Sequence, residues 1–460
     1  MISYSLKDSR VLLDLAAVLV DRLESIDMGD VVHEIESRAL PAKIWMERNG
    51  IPADKSVAKK MAARYAAEAE KALGKLSSLL EGVEAPNGES WRWTKPDHIL
   101  FALEGLEADL EELDTTGKIG APSTGKDSLK KITGPPAAVE WVKAFLEWKA
   151  LNKRSSDFVD KYAELVRENG TIVGGFETVS TGRYNCTRPN LQQVPSRGKL
   201  QTAEGMRIRD IFRARPGDSL VVADFGQVEL LLAATIAERR SGTKSRMLEV
   251  FRTECSDVHR ATAAWVLGKP EGHVTKAERN LAKVLNFGLI YGCSAQKLLE
   301  VAVNDYGVKD IKLKDAKKYR TAFFEKYPEF VAWHKKVSAD CDNGLEYATT
   351  PRGRRRKLPR WDKSGDVAFT TAVNHPVQGA GADAIKLTLA KLFEDRHNCP
   401  GNPELNCTVH DEVILSVKTE HAEAAKAWVE KHMADAEREA VMDLESPIAV
   451  DVKAKESWGG

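Results

Sequence analysis

Two apolar segments that carry carboxylates constrain the fold of this chain more than any other feature of its sequence. Residues 219–223 form a strand-like run that ends in Asp224, and residues 408–415 form a second run that contains Asp411 and Glu412. An acid in an apolar strand is unfavourable unless it is paired or binds a metal ion. Two such acids from distant parts of one chain can meet on one sheet and hold Mg²⁺, which prefers carboxylate oxygens. Taken alone, either acid also fits an ordinary turn at the end of a strand.

Between these segments, two cations and two aromatic residues recur at intervals of four on a predicted helix: Arg279, Lys283, Phe287 and Tyr291. Four residues advance a helix by about 400°, so the four side chains form one slowly turning stripe. Aromatic residues alone are typical of a core, but cations on the same face indicate a polyanion whose planar group stacks on the rings. Phosphate neutralisation at one end and base stacking at the other would suit a nucleoside triphosphate.

Helical spacing and turn signals divide the chain into a helical first part and a mixed second part. The patterns predict helices over 8–40, 55–80, 137–168, 276–291 and 380–396, and strands at 171–173, 219–223, 407–409 and 413–417. Pro41 is expected to interrupt the first helix, Asp54 to cap the second, and residues 118–134 to form an exposed loop. Strands mixed with long helices in irregular order indicate the α+β class.

An ordered set of motifs resembles the polymerase region of family A DNA polymerases. Residues 224–230 (DFGQVEL) resemble the family motif DYSQIEL, residues 279–292 resemble RxxxKxxxFGxxYG, and residues 409–413 resemble VHDE. Further matches follow the family order: TGR at 181–183, PNLQ at 189–192, GRRR at 353–356 and NHPVQG at 374–379, with MERNG at 46–50 near the entry into the domain. The resemblance implies template-directed transfer of nucleotides to a primer 3′-hydroxyl.

The resemblance also implies a catalytic site built on the carboxylates. Asp224 and Asp411, with the backbone carbonyl of Phe225, are expected to hold two Mg²⁺ ions, for which Mn²⁺ can substitute. Glu412 is expected to be a supporting acid near the primer end. Lys283 is counted with the catalytic residues because it can protonate the leaving pyrophosphate.

The incoming deoxynucleotide is expected to contact the helical stripe. By resemblance, Arg279 and Lys283 neutralise the triphosphate, Phe287 packs on the sugar and base, and Tyr291 holds the template side. Glu229 is expected to occupy the space that a ribose 2′-hydroxyl needs, which excludes ribonucleotides. The expected nucleotide-binding set is completed by Gln227 and His259.

A further group of residues is expected to contact the primer-template duplex, partly through minor-groove acceptors common to all correct base pairs. These residues are Arg183, Asn190, Gln192, Arg354, Arg355, Asn374, Gln378 and His410. The chain departs from the family pattern at Gly226, Leu231 and Thr370, where a polar or cationic residue is usual. These departures bear on template grip and mismatch sensing rather than on the chemistry.

The resemblance implies a right-hand polymerase with an antiparallel-sheet palm, helical fingers and a helical thumb. The expected divisions are a linker with residual exonuclease-domain helices (1–40), mainly thumb (41–170), palm (171–240 and 365–460) and fingers (241–364). Tyr4 and Asp8 fit the last exonuclease motif, YxxxD, but the other acidic motifs are missing, so no proofreading by this chain is expected. A separate exonuclease chain or an accessory factor remains an open alternative.

Three other functions are alternatives to DNA synthesis. A single-subunit RNA polymerase shares the palm and the helix motif, but Glu229 and the thumb-like region speak against it. A catalytically silent DNA-binding scaffold is disfavoured by the intact set of acids and cations. An ATP-driven motor would use residues 120–126, which fit a P-loop except that Asp127 stands where a magnesium-binding Ser or Thr is needed.

The net charge of zero, from 68 basic and 68 acidic residues, excludes a uniform polycation but hides opposed regions. Residues 182–209 and 345–360 each contain six Arg and Lys against one acid, whereas residues 420–445 contain eight acids against three bases. The basic segments coincide with those that the family places along nucleic acid, so DNA binding is expected to weaken with salt. No apolar stretch suits a membrane span, and a cytoplasmic monomer is expected.

Overall fold

The computed structural model describes residues 2–460 except 117–119, 156–159, 196–206, 254–256, 305–310, 361–366 and 444. The helices are α1 (Ile2–Glu24), α2 (Arg38–Asn49), α3 (Lys55–Ser78), α4 (Pro96–Gly105), α5 (Lys126–Leu129), α6 (Pro136–Arg154), α7 (Asp160–Leu165), α8 (Val228–Ser241), α9 (Arg246–Phe251), α10 (Val258–Leu267), α11 (Lys276–Ile290), α12 (Ala295–Asn304), α13 (Leu313–Lys326), α14 (Pro328–Asp342), α15 (Phe369–Glu394) and α16 (Ala422–Val441). In the described residues, no helix is both long and apolar enough to span a membrane.

The strands form small antiparallel sheets, which together with the many helices confirm the α+β class. They are β1 (Ile51–Pro52), β2 (Thr171–Ile172), β3 (Gly175–Thr178), β4 (Tyr184–Thr187), β5 (Asp218–Phe225), β6 (Tyr347–Thr349), β7 (Arg355–Lys357), β8 (Glu404–Val409), β9 (Glu412–Lys418) and β10 (Val450–Lys455). The largest sheet has the order β10-β5-β9-β8, and the pairs β1-β2, β3-β4 and β6-β7 stand apart from it.

The central strands of the four-stranded sheet are buried on both faces. Leu220, Val221, Val222 and Ala223 of β5 are all buried, as is the apolar run of β9. Helix α16 packs against β5, β9 and β10, and α2 packs against β8. Because both faces are covered, the charged side chains of β5 and β9 are confined to the strand ends, where Asp224 and Glu412 stand.

A second hydrophobic cluster, separate from the main core, lies within residues 76–145 and includes Trp93, Trp141 and Phe145. This cluster corrects the expectation that residues 118–134 form an exposed loop. Leu129 of α5 and Ile132 are buried in it. Two isolated apolar residues among many Gly, Lys and Thr give no periodicity, so the sequence does not reveal their burial.

The predicted helix over residues 8–40 is also corrected. Helix α1 ends before Asp27, which has φ 54, and a π-helical segment (Val31–Ser37) then leads into α2. Pro41 lies inside α2 and does not interrupt it. A proline has no N–H to donate to the carbonyl four residues back, which here belongs to Ser37. The π-helical segment, which has a wider turn, ends at Ser37, so α2 contains Pro41 without a break. Asp54 does cap α3, accepting from the N–H groups of Ser56 and Val57.

Candidate active site

The strand register brings the predicted carboxylates to one end of the four-stranded sheet. Asp224, near the end of β5, pairs with Glu412 of β9 on one side and with Asp451 of β10 on the other. Asp411 lies in the tight turn between β8 and β9, and its carbonyl accepts from the Phe225 N–H at 3.2 Å. His410 in the same turn has φ 56, which lets the chain reverse between the two strands.

The carboxylates create a site of concentrated negative charge. Burial and the neighbouring carboxylates of Glu412, Asp411 and Asp451 raise the pKa of Asp224 to about 7. Burial likewise raises the pKa of Asp411 and of Glu412. A cation bound beside these groups would favour their ionised forms.

The donor set suits a hard divalent cation that brings other ligands with it. Within the described residues, no group of three or more His, Cys, Asp or Glu side chains has a geometry that could hold a metal. Mg²⁺ is commonly bound through one or two carboxylates and completes its shell with water and substrate phosphates. Asp224, Asp411 and the nearby carbonyl of Phe225 fit that pattern.

Glu412 is held by two residues that sequence reasoning did not assign. The Trp458 Nε1–H donates to Glu412 Oε1 at 2.7 Å, and Arg209 Nη1 lies 3.4 Å from the same oxygen. The Arg209 guanidinium also lies 3.9 Å from the centroid of the Trp458 ring. The sequence marks Arg209 only as part of a basic segment, and no sequence signal marks the third-last residue, a tryptophan, as part of this site.

Helix α11 carries the predicted stripe. Arg279 Nε donates to Asp257 Oδ2 at 2.6 Å, and Lys283 Nζ lies 5.8 Å from the Phe287 ring centroid. His259 lies beside Phe287, with ring centroids 5.8 Å apart, and its Nδ1 is 2.9 Å from Asn286 Nδ2. Burial and nearby Arg279 lower the pKa of His259 to about 4, so its imidazole is neutral at pH 7.

The end of the stripe meets the predicted 2′-hydroxyl gate. The Tyr291 hydroxyl donates to Glu229 Oε1, and Arg183 Nη2 lies 3.9 Å from Glu229 Oε2. Glu229 is in the first turn of α8, and Gln227, with φ 56, forms the N-cap of that helix. These contacts join α11 to the turn that follows Asp224.

Several predicted duplex contacts gather beside the carboxylates. Arg183, Gln192 and His410 line a small pocket together with Asp411. An adjoining cleft is lined by Asn190, Gln192 and His410, and its cationic lining residues are Lys153, Lys161 and Arg188. Asn374 and Gln378 lie half-buried on one face of α15, one helical turn apart.

Comparison with known proteins identifies the fold. Residues 60–460 match the family model for DNA polymerase family A. The chain belongs to DNA polymerase family A. It is 35% identical over 350 residues to DNA polymerase I of Aquifex aeolicus, covering 74% of this chain and 55% of that protein. It is 30% identical over 464 residues to DNA polymerase I of Pseudomonas aeruginosa, covering 99% of this chain and 47% of that one.

A solved family A structure gives the same picture. The POL domain of Pol1 from M. smegmatis, in complex with DNA primer-template and dNTP, superposes with a TM-score of 0.80 and 25% identity, covering 97% of this chain and 74% of that chain. The fold is therefore a right-hand polymerase fold. The chain spans about half the length of the curated relatives it matches.

The structure of this family A chain does not bring every predicted residue to the cleft. Arg354 is only 7% exposed and is paired with Asp383 and Glu36, which argues against a direct contact with DNA. Arg355 donates to the Ile26 carbonyl at 2.8 Å and stacks on Tyr347. Neither burial nor these long-range partners can be seen in an arginine-rich sequence motif.

The P-loop-like segment at 120–126 has no phosphate-binding architecture in the part of it that the structure describes. Lys126 begins the four-residue helix α5, and Thr115 and Pro122 form an isolated antiparallel bridge in place of a buried strand leading into a helix. Lys118 lies outside the described residues, as do Arg197 and Lys199 of the basic segment 182–209. The side chains of Tyr4 and Asp8 are likewise not described.

Proposed function

We propose that this chain catalyses template-directed DNA synthesis, adding deoxynucleotides to a primer 3′-hydroxyl. The observation that carries the proposal is the bond between Tyr291 and Glu229, which joins the cation-bearing helix α11 to the strand-end turn of Asp224. Nucleotide-binding and carboxylate groups are thereby combined in one site. The DNA primer-template and dNTP bound to the M. smegmatis Pol1 domain support the same partners here.

We assign the hand-like divisions as the family resemblance suggests. Residues 41–170 form mainly the thumb, 241–364 the fingers, and 171–240 with 365–460 the palm, while 1–40 precede them. The separate hydrophobic cluster within residues 76–145 supports a thumb with its own core. The four-stranded sheet that carries the carboxylates supports the palm assignment, since β5 comes from the first palm segment and β8 to β10 from the second.

Two Mg²⁺ ions, for which Mn²⁺ can substitute, would be held by Asp224, Asp411 and the Phe225 carbonyl. When bound, such ions activate the attacking hydroxyl and stabilise the charge on the leaving oxygen. The carboxylates contribute fixed positions at the sheet end. Glu412, held by Trp458 and Arg209, orders the primer end.

The protein side chains position the nucleotide. Arg279 and Lys283 neutralise the triphosphate, and the Lys283 ammonium can pass a proton to the leaving pyrophosphate. Phe287 packs against the sugar and base. Glu229, held by Tyr291, leaves no room for a 2′-hydroxyl. Gln227 and His259 complete the lining of this pocket.

The duplex lies along the cleft beside His410. Donors from Arg183 and Gln378 reach minor-groove acceptors shared by all correct pairs, so pair geometry is sensed without regard to sequence. Asn190, Gln192 and Asn374 add polar contacts along the strands. In this proposal the chain acts as a monomer without proofreading of its own.

Primer extension with a labelled primer-template, Mg²⁺ and deoxynucleotides tests the proposal. Asp224→Asn and Asp411→Asn are each expected to lower the extension rate about a hundredfold or more, because each removes a charge aimed at the reacting groups. Asp218→Asn is the matched control: this carboxylate lies at the other end of β5, 2.7 Å from Lys418, and its loss should leave the rate unchanged.

Three further arms separate the alternatives. EDTA should abolish extension and added Mg²⁺ should restore it. Ribonucleotides should be refused by the wild type and accepted by Glu229→Ala, whereas ready use of ribonucleotides by the wild type would indicate an RNA polymerase. A mismatched 3′ end should persist, and its removal would contradict the absence of proofreading. Undiminished extension by Asp224→Asn would refute the proposed function.

A further inference from the structure

Four ionisable side chains form a cluster that lies apart from the carboxylate site and has no role in the proposed chemistry. Arg354 Nη2 lies 2.7 Å from Glu36 Oε1 and 2.7 Å from Asp383 Oδ1, and Lys386 Nζ lies 2.6 Å from Glu36 Oε2. Asp383 and Lys386 are fully buried, and Arg354 is nearly so. Desolvating charges is costly even when they are paired, so stability alone is a weak reason for such a cluster.

The cluster holds the hairpin that carries Arg183. Lys386 Nζ donates to Thr178 Oγ1 at 3.0 Å and lies 4.7 Å from the Tyr184 ring centroid. Thr178 and Tyr184 are the last paired residues of strands β3 and β4 before the turn. The Lys386 side chain therefore contacts both strands of the hairpin where its turn begins.

Arg354 packs directly against that turn. Gly182 has φ +89, and a Cβ built there would lie 2.7 Å from Arg354 Nε. A glycine is needed at this position both for its backbone conformation and because the guanidinium approaches so closely. The next residue is Arg183, so the placement of Arg354 affects the start of the Arg183 side chain.

The same guanidinium is tied to the helix that carries Gln378. Arg354 Nε donates to Asp383 Oδ1 at 2.7 Å, and Thr350 Oγ1 donates to Asp383 Oδ2 at 3.0 Å. Asp383 lies on α15, little more than one turn beyond Gln378. At Gly379 the helix meets the Thr350 methyl group, and a Cβ there would lie 3.6 Å from the carbonyl oxygen of Thr181.

From these contacts we infer that Arg354 is a positioning residue for mismatch sensing. It fixes the separation between Arg183, on the hairpin turn, and Gln378, on α15, by packing under Gly182 while paired with Asp383. Arg354 does not touch DNA. The inference rests on the proposed function, since it concerns how these two side chains meet the minor groove of a primer-template.

A primer with a 3-deazapurine at its 3′ end provides the test, because it lacks the N3 acceptor that a minor-groove donor uses. Wild type is expected to extend this primer about tenfold to a hundredfold more slowly than the natural one, the range for loss of a hydrogen bond to a charged group. Arg354→Met is expected to be slow on the natural primer, with a natural-to-deaza rate ratio close to one. A role in fold stability alone would leave that ratio at its wild-type value.

Two controls are matched to Arg354→Met. Leu392→Ala destabilises the same helix at a fully buried position far along α15 from Asp383. Arg38→Met removes a cation from an ion pair with Glu394 and so matches the change in net charge. Both should keep the wild-type rate ratio.

Gly182→Ala is a second variant that keeps the cluster chemically intact. Its Cβ would have to displace the guanidinium from the turn and would also strain the backbone at φ +89, so it should lower the rate ratio as Arg354→Met does, and Arg354→Lys separates the two causes. Arg354→Lys keeps the charge and should recover part of the ratio. Thermal melts measured alongside relate each ratio to the stability of the variant.

The outcomes separate this inference from the proposed function. Loss of discrimination in Arg354→Met and Gly182→Ala, with the controls unchanged, supports the positioning role. If Gly182→Ala and every folded Arg354 variant keep the wild-type rate ratio, the positioning role is overturned and DNA synthesis still stands. The same holds if the wild-type protein extends the 3-deazapurine primer as fast as the natural one. A wild type that extends no primer refutes the proposed function and removes the inference with it.

Discussion

Replacing Asp257 by Asn should tighten binding of the incoming deoxynucleotide, because it frees Arg279 from an intramolecular partner. Arg279 Nε lies 2.6 Å from Asp257 Oδ2, and the two side chains are 35% and 30% exposed. Under the proposed function, Arg279 must exchange this carboxylate for the triphosphate whenever a nucleotide binds. The ion pair thus competes with the substrate.

The size of the effect follows from the exposure of the pair and the role of Asp257 as a cap. Its Oδ1 accepts from the Arg260 N–H at 3.1 Å at the start of α10, and an Asn side chain can accept the same bond. The cap is kept, whereas the charge and the acceptor that faces Arg279 are lost. A partly exposed ion pair is worth about 0.2–1 kcal/mol, so nucleotide affinity should rise by about 1.4-fold to fivefold.

Single-turnover incorporation measured against nucleotide concentration checks this expectation. The apparent dissociation constant should fall while the maximal rate stays unchanged, and the gain should shrink as salt screens the pair. Glu278→Gln is the control, since it breaks a different ion pair, with Lys269, at the start of the same helix. Weaker nucleotide binding by Asp257→Asn would show that Asp257 holds Arg279 in its working position and would refute the competition.

Three further expectations follow from single contacts. Trp458→Phe keeps a ring under the guanidinium but loses the donor to Glu412, so steady-state kinetics should show kcat lowered about tenfold, with the KM for nucleotide unchanged. Tyr291→Phe frees Glu229, so the preference for deoxy- over ribonucleotides in competition assays should fall about tenfold. Burial raises the pKa of Glu437 to about 7, above its unfolded value, so this group favours folding at low pH and loses that contribution as pH rises from about 4.5 to 7. Urea titrations should therefore show Glu437→Gln gaining stability relative to wild type between pH 5 and pH 8, and an equal difference at both pH values would contradict the shift.

The carboxylate site was predictable because its signal is local. An apolar run that ends in an acid identifies a buried strand with a costly terminus, and both Asp224 and Asp411 stand at such ends. The stripe on α11 was predictable for a similar reason, since helical periodicity alone aligns its members. In the structure, Phe287 lies beside His259 and beside Lys283 of the same stripe. Tyr291 bonds to Glu229, which is also expected in the site.

The contacts that depend on distant partners were not predictable. Trp458 reaches Glu412 because the chain after β10 lies beside Phe212 and Arg213, which no pattern near the C-terminus indicates. No pattern in this sequence indicates the π-helical segment before α2, so the sequence predicts that Pro41 interrupts a helix that in fact contains it. In each case the decisive partner lies far along the chain or the backbone geometry is set by packing.

The cations show how sequence composition misleads about a binding surface. Residues 345–360 form one of the most basic stretches of the chain, yet the charge of Arg354 is paired with Glu36 and Asp383. The cleft beside His410 draws its cationic lining from Lys153, Lys161 and Arg188 instead, and only Arg188 lies within a predicted basic segment. A basic segment therefore adds to the phosphate-binding field only through the charges that reach solvent. Under the proposed function, the buried remainder fixes the geometry of the groups that meet the duplex, and this division is how a chain of zero net charge can present a cleft lined by cations.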